Sequence, residues 1–376
     1  MYTVLVGGPD PDFLGSSSRD RNARVVERGG ATLCSLETLS AYGPHAAMLV
    51  PSDVALMPDL FRDATFDAAT RRTAPTRLVS HDALIVVGAA STLATLASTG
   101  ALASVPSLTV GDGTLLSLHD TDARRRATRA ALLATAKPSD GWVSRHCNRP
   151  MSRACSRLAL AAGLSANTAS FITLAVGLFG AWTAAQPGYR WFVATGVLFQ
   201  LASVLDGVDG EIARATLTES PLGARIDTVV DQATYAACFI GTTIGWVREG
   251  SGMPALWSTV LIGVALALTL MRGGRFVAQH GQNASFVIID RSVRRAAQDT
   301  GRLPLQIAAA VFTLLRRDIF AVVFLAVSLT GLRAAVPALI LAGILVANLT
   351  LSLYGPELAD AARAERRRPK KVATAT

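Results

Sequence analysis

The sequence predicts a multi-domain chain: a cytosolic α/β domain followed by an all-α membrane domain of about six transmembrane helices. Three observations lead there. Over residues 1–138 the apolar runs are short, and none approaches the ~18 residues that a bilayer crossing needs. Beyond residue 163, runs of that order recur. The 376 residues are 51% hydrophobic with a mean hydropathy of +0.38, too apolar for an ordinary soluble protein and too long for one small domain. The expected order is an α/β domain over 1–138, an interfacial amphipathic helix over 139–163, a six-helix membrane domain over 164–358 and a basic tail over 359–376.

In the first part, Tyr2 to Val6, Ala47 to Val50, Ala83 to Val87 and Ser107 to Val110 read as short buried strands, separated by helix-like stretches such as 121–136. The amino terminus lacks the basic-then-apolar layout of a signal peptide, so this domain is expected to stay in the cytosol. The four cysteines, Cys34, Cys147, Cys155 and Cys238, are scattered without a CxxC pair, which points to neither a zinc site nor a disulfide framework.

A break at Lys137-Pro138-Ser139-Asp140-Gly141-Trp142 precedes an amphipathic stretch. Arg145, Arg149, Arg153 and Arg157 recur every fourth residue as one basic stripe, with Val143, Cys147, Met151, Ala154 and Leu158 opposite. Such a helix is expected to lie on the cytoplasmic leaflet with Trp142 at headgroup level.

Apolar spans follow at about 164–185, 189–212, 222–247, 253–272, 318–332 and 334–354, the fifth of them short. Arg272, Arg275, Arg291, Arg294, Arg295, Arg302, Arg316 and Arg317, with the tail Arg366-Arg367-Arg368-Pro369-Lys370-Lys371, fall on the side of the amino-terminal domain. The opposite loops carry Arg190, Arg248 and Arg333. The positive-inside rule then places both termini toward the cytoplasm, in a cell membrane crossed several times. The net charge of +9 sits beside apolar spans, so it reads as topology and lipid contact rather than nucleic-acid binding.

Between the second and third spans lies Asp206-Gly207-Val208-Asp209-Gly210-Glu211-Ile212-Ala213-Arg214, continuing through Gly223 to Asp227 and Asp231. One Asp at a helix centre costs ~2.5–3.5 kcal/mol on insertion scales, so several unpaired carboxylates would cost on the order of 10 kcal/mol. Asp206 and Asp209 are three apart, and Asp227 and Asp231 four apart, so each pair shares one face of its helix. If the two helices pack antiparallel, four carboxylates converge, and clustered hard oxygens suit Mg²⁺ or Mn²⁺. A two-ion site for phosphoryl chemistry is the natural reading. Gly207, Gly210, Ala213 and Gly223 let a diphosphate approach the backbone, and Arg214 can grip a phosphate bidentately.

The pattern D-x-x-D-G-x-x-A-R-x8-G-x3-D-x3-D, filled by Asp206, Asp209, Gly210, Ala213, Arg214, Gly223, Asp227 and Asp231, resembles the signature of the CDP-alcohol phosphotransferase (CDP-alcohol phosphatidyltransferase) family at every defined position. The position of the soluble domain resembles the fusion subfamily with an amino-terminal nucleotidyltransferase-like domain, of the di-myo-inositol-phosphate-phosphate synthase type. The run K-P-x-D-G-x-x-S-R-x-x-N-R-P-x-S, with Asn148 and Ser152, is similar to the segment that precedes the membrane domain there. Leu164-Ser165-Ala166-Asn167-Thr168-Ala169-Ser170 resembles the family's T-P-N-x-x-T segment, with Ala166 in place of Pro.

The resemblance implies an integral membrane transferase that moves a substituted phosphate from a CDP-alcohol, either CDP-diacylglycerol or a CDP-polyol, to an acceptor hydroxyl with release of CMP. It implies metal ligation by Asp206, Asp209, Asp227 and Asp231, with Asp231 also the general base, and nucleotide contacts from Gly210, Ala213, Arg214, Gly223, Asn167, Ser170 and Ser220. Arg225, Arg272 and Arg275 are candidates for a phosphorylated acceptor, although Gln232 stands where the inositol-phosphate branch often has a basic residue. A homodimer is likewise implied. Leu49-Val50-Pro51-Ser52-Asp53 looks like the strand-end Asp of nucleotidyltransferases, but Gly7-Gly8 leads into Pro9-Asp10-Pro11-Asp12 where a basic phosphate loop is expected. The alternatives are a bifunctional enzyme whose soluble domain makes the CDP-alcohol, a metal-dependent prenyltransferase, or an ion-coupled transporter. A prenyltransferase does not require the Ala-Arg and Gly elements, and a transporter would show internal repeats.

Overall fold

The structure is a computed structural model and describes residues 1–6, 10–72, 74–137, 140–280 and 287–367, without the side chains of 280, 287 and 365–367. The Gly7–Pro9 segment, the Pro138-Ser139 break and the basic run from Arg366 to Lys371 lie outside the described residues or their side chains. The chain divides into two compact units. One comprises Met1–Asp140, Arg149–Ser170 and Asp206–Asp227, and the other Gly141–Asn148, Phe171–Leu205 and the residues from Thr228 on.

The first unit is built on a mixed sheet. In chain order its elements are β1 (Tyr2–Leu5), β2 (Asp12–Phe13), β3 (Ser16–Ser17), α1 (Ser18–Arg28), β4 (Thr32–Leu33), α2 (Leu36–Leu39), β5 (Ala46–Val50) and β6 (Val54–Leu56). They continue with α3 (Ala64–Thr70), β7 (Thr76–Ser80), β8 (Ala83–Ala89), α4 (Ala90–Thr99), β9 (Ser107–Thr109), β10 (Leu115–Ser117) and α5 (Thr121–Leu133). The sheet order is β4-β1-β5-β8-β7-β9; β4, β1 and β5 run parallel, β8 is antiparallel to β5 and β7, and β9 is parallel to β7. Two small antiparallel pairs, β10-β6 and β2-β3, flank it.

Period-two alternation explains why this sheet is buried on both faces. On β5, Met48 and Val50 point into one apolar core with Val25, Val26 and Phe66, while Ala47 and Leu49 point into another with Leu39, Ala90 and Leu93. The helices thus cover both faces of an α/β/α sandwich. All four expected strands are present. β7, which pairs β8 through the tight turn at Ser80 to Ala83, was not among them, because its alternating Thr-Arg-Leu-Val-Ser has no continuous apolar run. Asp63 caps α3 by accepting from the backbone N–H groups of Thr65 and Phe66, and Asp120 caps α5 through Ala123.

The helical part continues with α6 (Arg149–Ala161), α7 (Ala166–Ala184), α8 (Tyr189–Thr216), α9 (Pro221–Arg248), α10 (Gly252–His280), α11 (Val287–Thr300), α12 (Leu303–Leu314), α13 (Arg317–Thr330), α14 (Ala335–Leu353) and α15 (Gly355–Arg367). Among the described residues, three helices are long and apolar enough to cross a membrane: α8, α10 and α14. The expected count of six is therefore met only in part. The shortfall has local causes: α13 has 14 residues, and α9 carries Arg225, Asp227 and Asp231 near its start. α12, a 12-residue apolar helix, lay between the expected spans.

Inside the second unit, Phe192, Phe199 and Phe324 form an aromatic core. Gly241 allows α9 to approach the Ala181 carbonyl of α7, a contact that any Cβ would obstruct. Arg333 is 3% exposed; it donates to the carbonyls of Ala184 and Gln186 at 2.6 and 2.9 Å and pairs with Glu249.

Candidate active site

The motif spans the end of α8 and the start of α9, joined by the short turn 217–220. That turn reverses the chain, so Asp206 and Asp227 offer ligand oxygens within 4.8 Å of one another; Asp231 stands one turn past Asp227 on the continuous α9. All three are half-buried. Asp209 is buried and held separately: its Oδ2 accepts from the Ser170 hydroxyl, and its Oδ1 from the Gly210 backbone N–H. Asp231 Oδ2 also accepts from Arg317 Nη1 at 2.6 Å, and that guanidinium sits over the Tyr235 ring.

The nucleotide-contact candidates fall in two clusters. Ser220 Oγ accepts from the Gly223 N–H at 3.0 Å, and a Cβ on Gly223 would stand 3.2 Å from that oxygen and 3.6 Å from Asn167 Oδ1, so Asn167, Ser220 and Gly223 form one small polar group. The Arg214 guanidinium lies over Gly210, where a Cβ would come within 2.8 Å of Nη1, and its Nε donates to the Thr135 carbonyl at 3.1 Å. Gly210 is thus the space that Arg214 uses. Ala213, half-buried, precedes it. Of the acceptor candidates, Arg225 is exposed on the first turns of α9, and Arg272 and Arg275 are exposed on α10, where Arg272 donates to Ser352 Oγ at 2.7 Å.

Beside the motif lies an ionic network that spacing did not reveal. Glu211 is fully buried, and its oxygens accept from Arg149 Nη1 at 3.0 Å, Ser152 Oγ at 2.6 Å and Ser156 Oγ at 2.7 Å. Arg149 also reaches Asp140 through Nε at 2.9 Å and Nη2 at 3.1 Å. The expectation of one basic stripe is therefore corrected: Arg145, in the π-helical turn before α6, and Arg157 are exposed, but Arg149 is 8% exposed and faces α8. The buried face of α6 is Arg149, Ser152, Ser156 and Leu160, while Met151 and Leu158 are 54% and 73% exposed. Gly207 lets this face approach, since a Cβ there would meet Arg149 and Ser152 at 3.1–3.2 Å. Burial pulls the Asp140 carboxyl upward, but the Arg149 hydrogen bonds, the Lys137 N–H and the two positive charges outweigh it and hold the pKa below the ordinary value. Burial likewise pulls Arg149 down, and its two carboxylate partners raise it. The signals that pointed this way were Ser152 and Ser156 at helical spacing with Arg149; Arg317 was legible only as one of many topological charges.

In the α/β domain, Asp10 Oδ1 accepts from the Ser18 hydroxyl at 3.0 Å and the Arg19 N–H at 3.1 Å, so a carboxylate occupies the start of α1, where helix termini bind anions. Asp53 is exposed in the turn after β5.

Residues 164–332 match the sequence model of the CDP-alcohol phosphatidyltransferase family. The helices that carry the acids thus lie within the region that matches this family model. Among curated proteins the chain is similar to the bifunctional IPC transferase and DIPP synthase of Thermococcus kodakarensis, 39% identical over 110 residues, 29% of this chain and 24% of that one. It is similar to the proteins of the same name from Archaeoglobus fulgidus, 38% identical over 35% of this chain and 26% of that one, and Rubrobacter xylanophilus, 36% identical over 34% and 29%. The chain spans about a quarter of the length of the curated relatives it matches.

Proposed function

We propose that this protein is an integral membrane CDP-alcohol phosphotransferase that transfers a substituted phosphate from a CDP-alcohol to an acceptor hydroxyl and releases CMP. The observation that carries the reading is the approach of Asp206 and Asp227 to within 4.8 Å inside a signature that resembles the family's, in the region that matches the family model. Clustered carboxylate oxygens without imidazole or thiolate suit a hard divalent cation, so the donor set fits Mg²⁺ or Mn²⁺. Asp206, Asp209, Asp227 and Asp231 would hold two such ions. When bound, they supply neutralisation of charge on the diphosphate and on the attacking and leaving oxygens.

The chain's own residues do the rest. Arg214, stacked over Gly210, holds a phosphate oxygen, and Asn167, Ser170, Ser220 and Gly223 line the nucleotide's approach. Asp231 takes the proton of the acceptor hydroxyl as the new phosphorus–oxygen bond forms, while the bond to CMP breaks; Arg317 orients that carboxylate through Oδ2. Arg225, Arg272 and Arg275 are the basic groups toward a phosphorylated acceptor. The site and both termini face the cytoplasm, six helices cross the cell membrane, lipid contacts the exposed face of α6, and the enzyme is a homodimer.

The names of the relatives favour a polyol-phosphodiester product and keep open the bifunctional alternative, in which the soluble domain makes the CDP-alcohol. Asp10 at the start of α1 speaks against the latter, because its negative charge stands where a triphosphate would need donors.

The test is CMP release by the purified protein with Mg²⁺, CDP-diacylglycerol or CDP-inositol, and a panel of acceptor alcohols. Metal-dependent release with at least one donor–acceptor pair is expected. No release with any pair, or release that survives thorough chelation, overturns the reading.

A further inference from the structure

The end of α8 is fastened to the α/β domain by a built contact that the transferase chemistry does not use. Helix α8 ends two residues past Arg214, and its terminal carbonyls have no partners within the helix. Three arginines on one face of α1 supply them. Arg21 Nε donates to the Ala215 carbonyl at 3.1 Å, Arg24 Nε to the Thr216 carbonyl at 3.1 Å, and Arg28 Nη2 to the Leu217 carbonyl at 3.0 Å, with Arg28 Nη1 paired to Glu219 at 3.0 Å. Cations at a helix carboxyl terminus are favoured by its dipole. Arg21 is 1% exposed; burial and the neighbouring Arg24 lower its pKa to about 10, so it remains cationic at neutral pH.

Leu217 completes the contact. Its φ is +59°, the left-handed conformation that usually falls to Gly after a helix, and the Thr218 N–H bonds back to the Ala213 carbonyl at 2.9 Å. A branched residue is strained there. The strain is offset because the side chain is 7% exposed and belongs to the same apolar core as Val25, Val26, Leu56 and Leu60 of the α/β domain. A residue from the transferase motif region thus plugs the core of the soluble domain.

We propose that the soluble domain serves the transferase as a latch, in which Leu217 with Arg21, Arg24 and Arg28 fixes the end of α8 so that Arg214 and the motif acids hold a nucleoside diphosphate. Leu217, Arg24 and Arg28 are positioning residues. The function of the latch rests on the phosphotransferase reading above; its physical existence does not.

The test uses the full-length protein in nanodiscs, with Leu217→Gly, which relieves the strain but removes the plug, Leu217→Met as the conservative variant, and the double variant Arg24→Ala/Arg28→Ala. Two quantities are read: hydrogen–deuterium exchange over residues 206–217, and CDP binding in Mg²⁺ by calorimetry. The latch predicts that exchange quickens about tenfold and CDP affinity falls about tenfold in Leu217→Gly and in the double variant, with Leu217→Met close to wild type. A fall in melting temperature with exchange and CDP affinity unchanged makes the contact mere cement and overturns the proposal. If the wild-type protein binds no CDP, the phosphotransferase reading fails, and exchange alone decides: unchanged protection over 206–217 overturns the latch, and lost protection supports it.

Discussion

Arg149 Nη1 stands 3.0 Å from Glu211 Oε1, with the acid fully buried and the guanidinium side chain 10% exposed. The pair joins α6 to the segment of α8 that carries Asp209 on one side and Arg214 on the other. The pair has further partners: two serine hydroxyls on the acid, and Asp140 on the far side of the guanidinium. A pair this dry is expensive to break and inexpensive to replace.

Arg149→Ala leaves Glu211 buried without its countercharge and is expected to destabilise the protein by about 3–5 kcal/mol, whereas the double variant Arg149→Met/Glu211→Leu is expected to recover most of that loss. Chemical unfolding of Arg149→Met, Glu211→Leu and the double variant, beside Arg149→Ala, checks this. A double variant that loses the sum of the two single losses would show that the two groups do not interact.

Ser170→Ala removes a hydroxyl donor from the buried Asp209 carboxylate while leaving the Gly210 N–H in place. Hydrogen bonds to charged groups contribute about 1.5–3 kcal/mol, so divalent-ion affinity is expected to shift by about tenfold or more. Mn²⁺ titration followed by electron paramagnetic resonance measures it. An unchanged Mn²⁺ affinity would mean that this bond does not tune the acid.

Gly210→Ala places a methyl group within 2.8 Å of the present Arg214 Nη1, so the guanidinium must leave its seat. The fold is expected to survive, because the obstructed atoms belong to a flexible side chain. CDP binding is expected to weaken by about tenfold, the worth of roughly one charge-assisted contact. Calorimetry on this variant beside Arg214→Ala tests it: the two losses are expected to be alike.

The pH dependence follows from Asp140, whose folded pKa lies below its ordinary value. A depressed acid contributes stability that is complete above its unfolded pKa, about 3.9, and is lost as pH falls through the lower folded value. Wild type is therefore expected to lose melting temperature more steeply than Asp140→Asn below about pH 4. Parallel slopes for the two proteins would detach Asp140 from the acid limb.

The sequence by itself determined the parts that depend on near neighbours. Asp206 and Asp209, and Asp227 and Asp231, share helix faces because 3.6 residues make a turn, and β5 and β8 were visible as apolar runs because a sheet covered on both faces has no polar side to show. The apolar character of α8, α10 and α14 is likewise a sum over adjacent side chains. Only the tertiary structure decided which polar groups are buried. Arg149 looks like one more surface arginine until an acid 62 positions away meets it, and Arg21 caps a carbonyl 194 positions along the chain. Leu217 reads as an ordinary loop residue, yet it sits in a core made by residues far earlier in the chain. No periodicity encodes such pairings, because the energy of a buried charge or a plugged core depends on what the fold brings beside it.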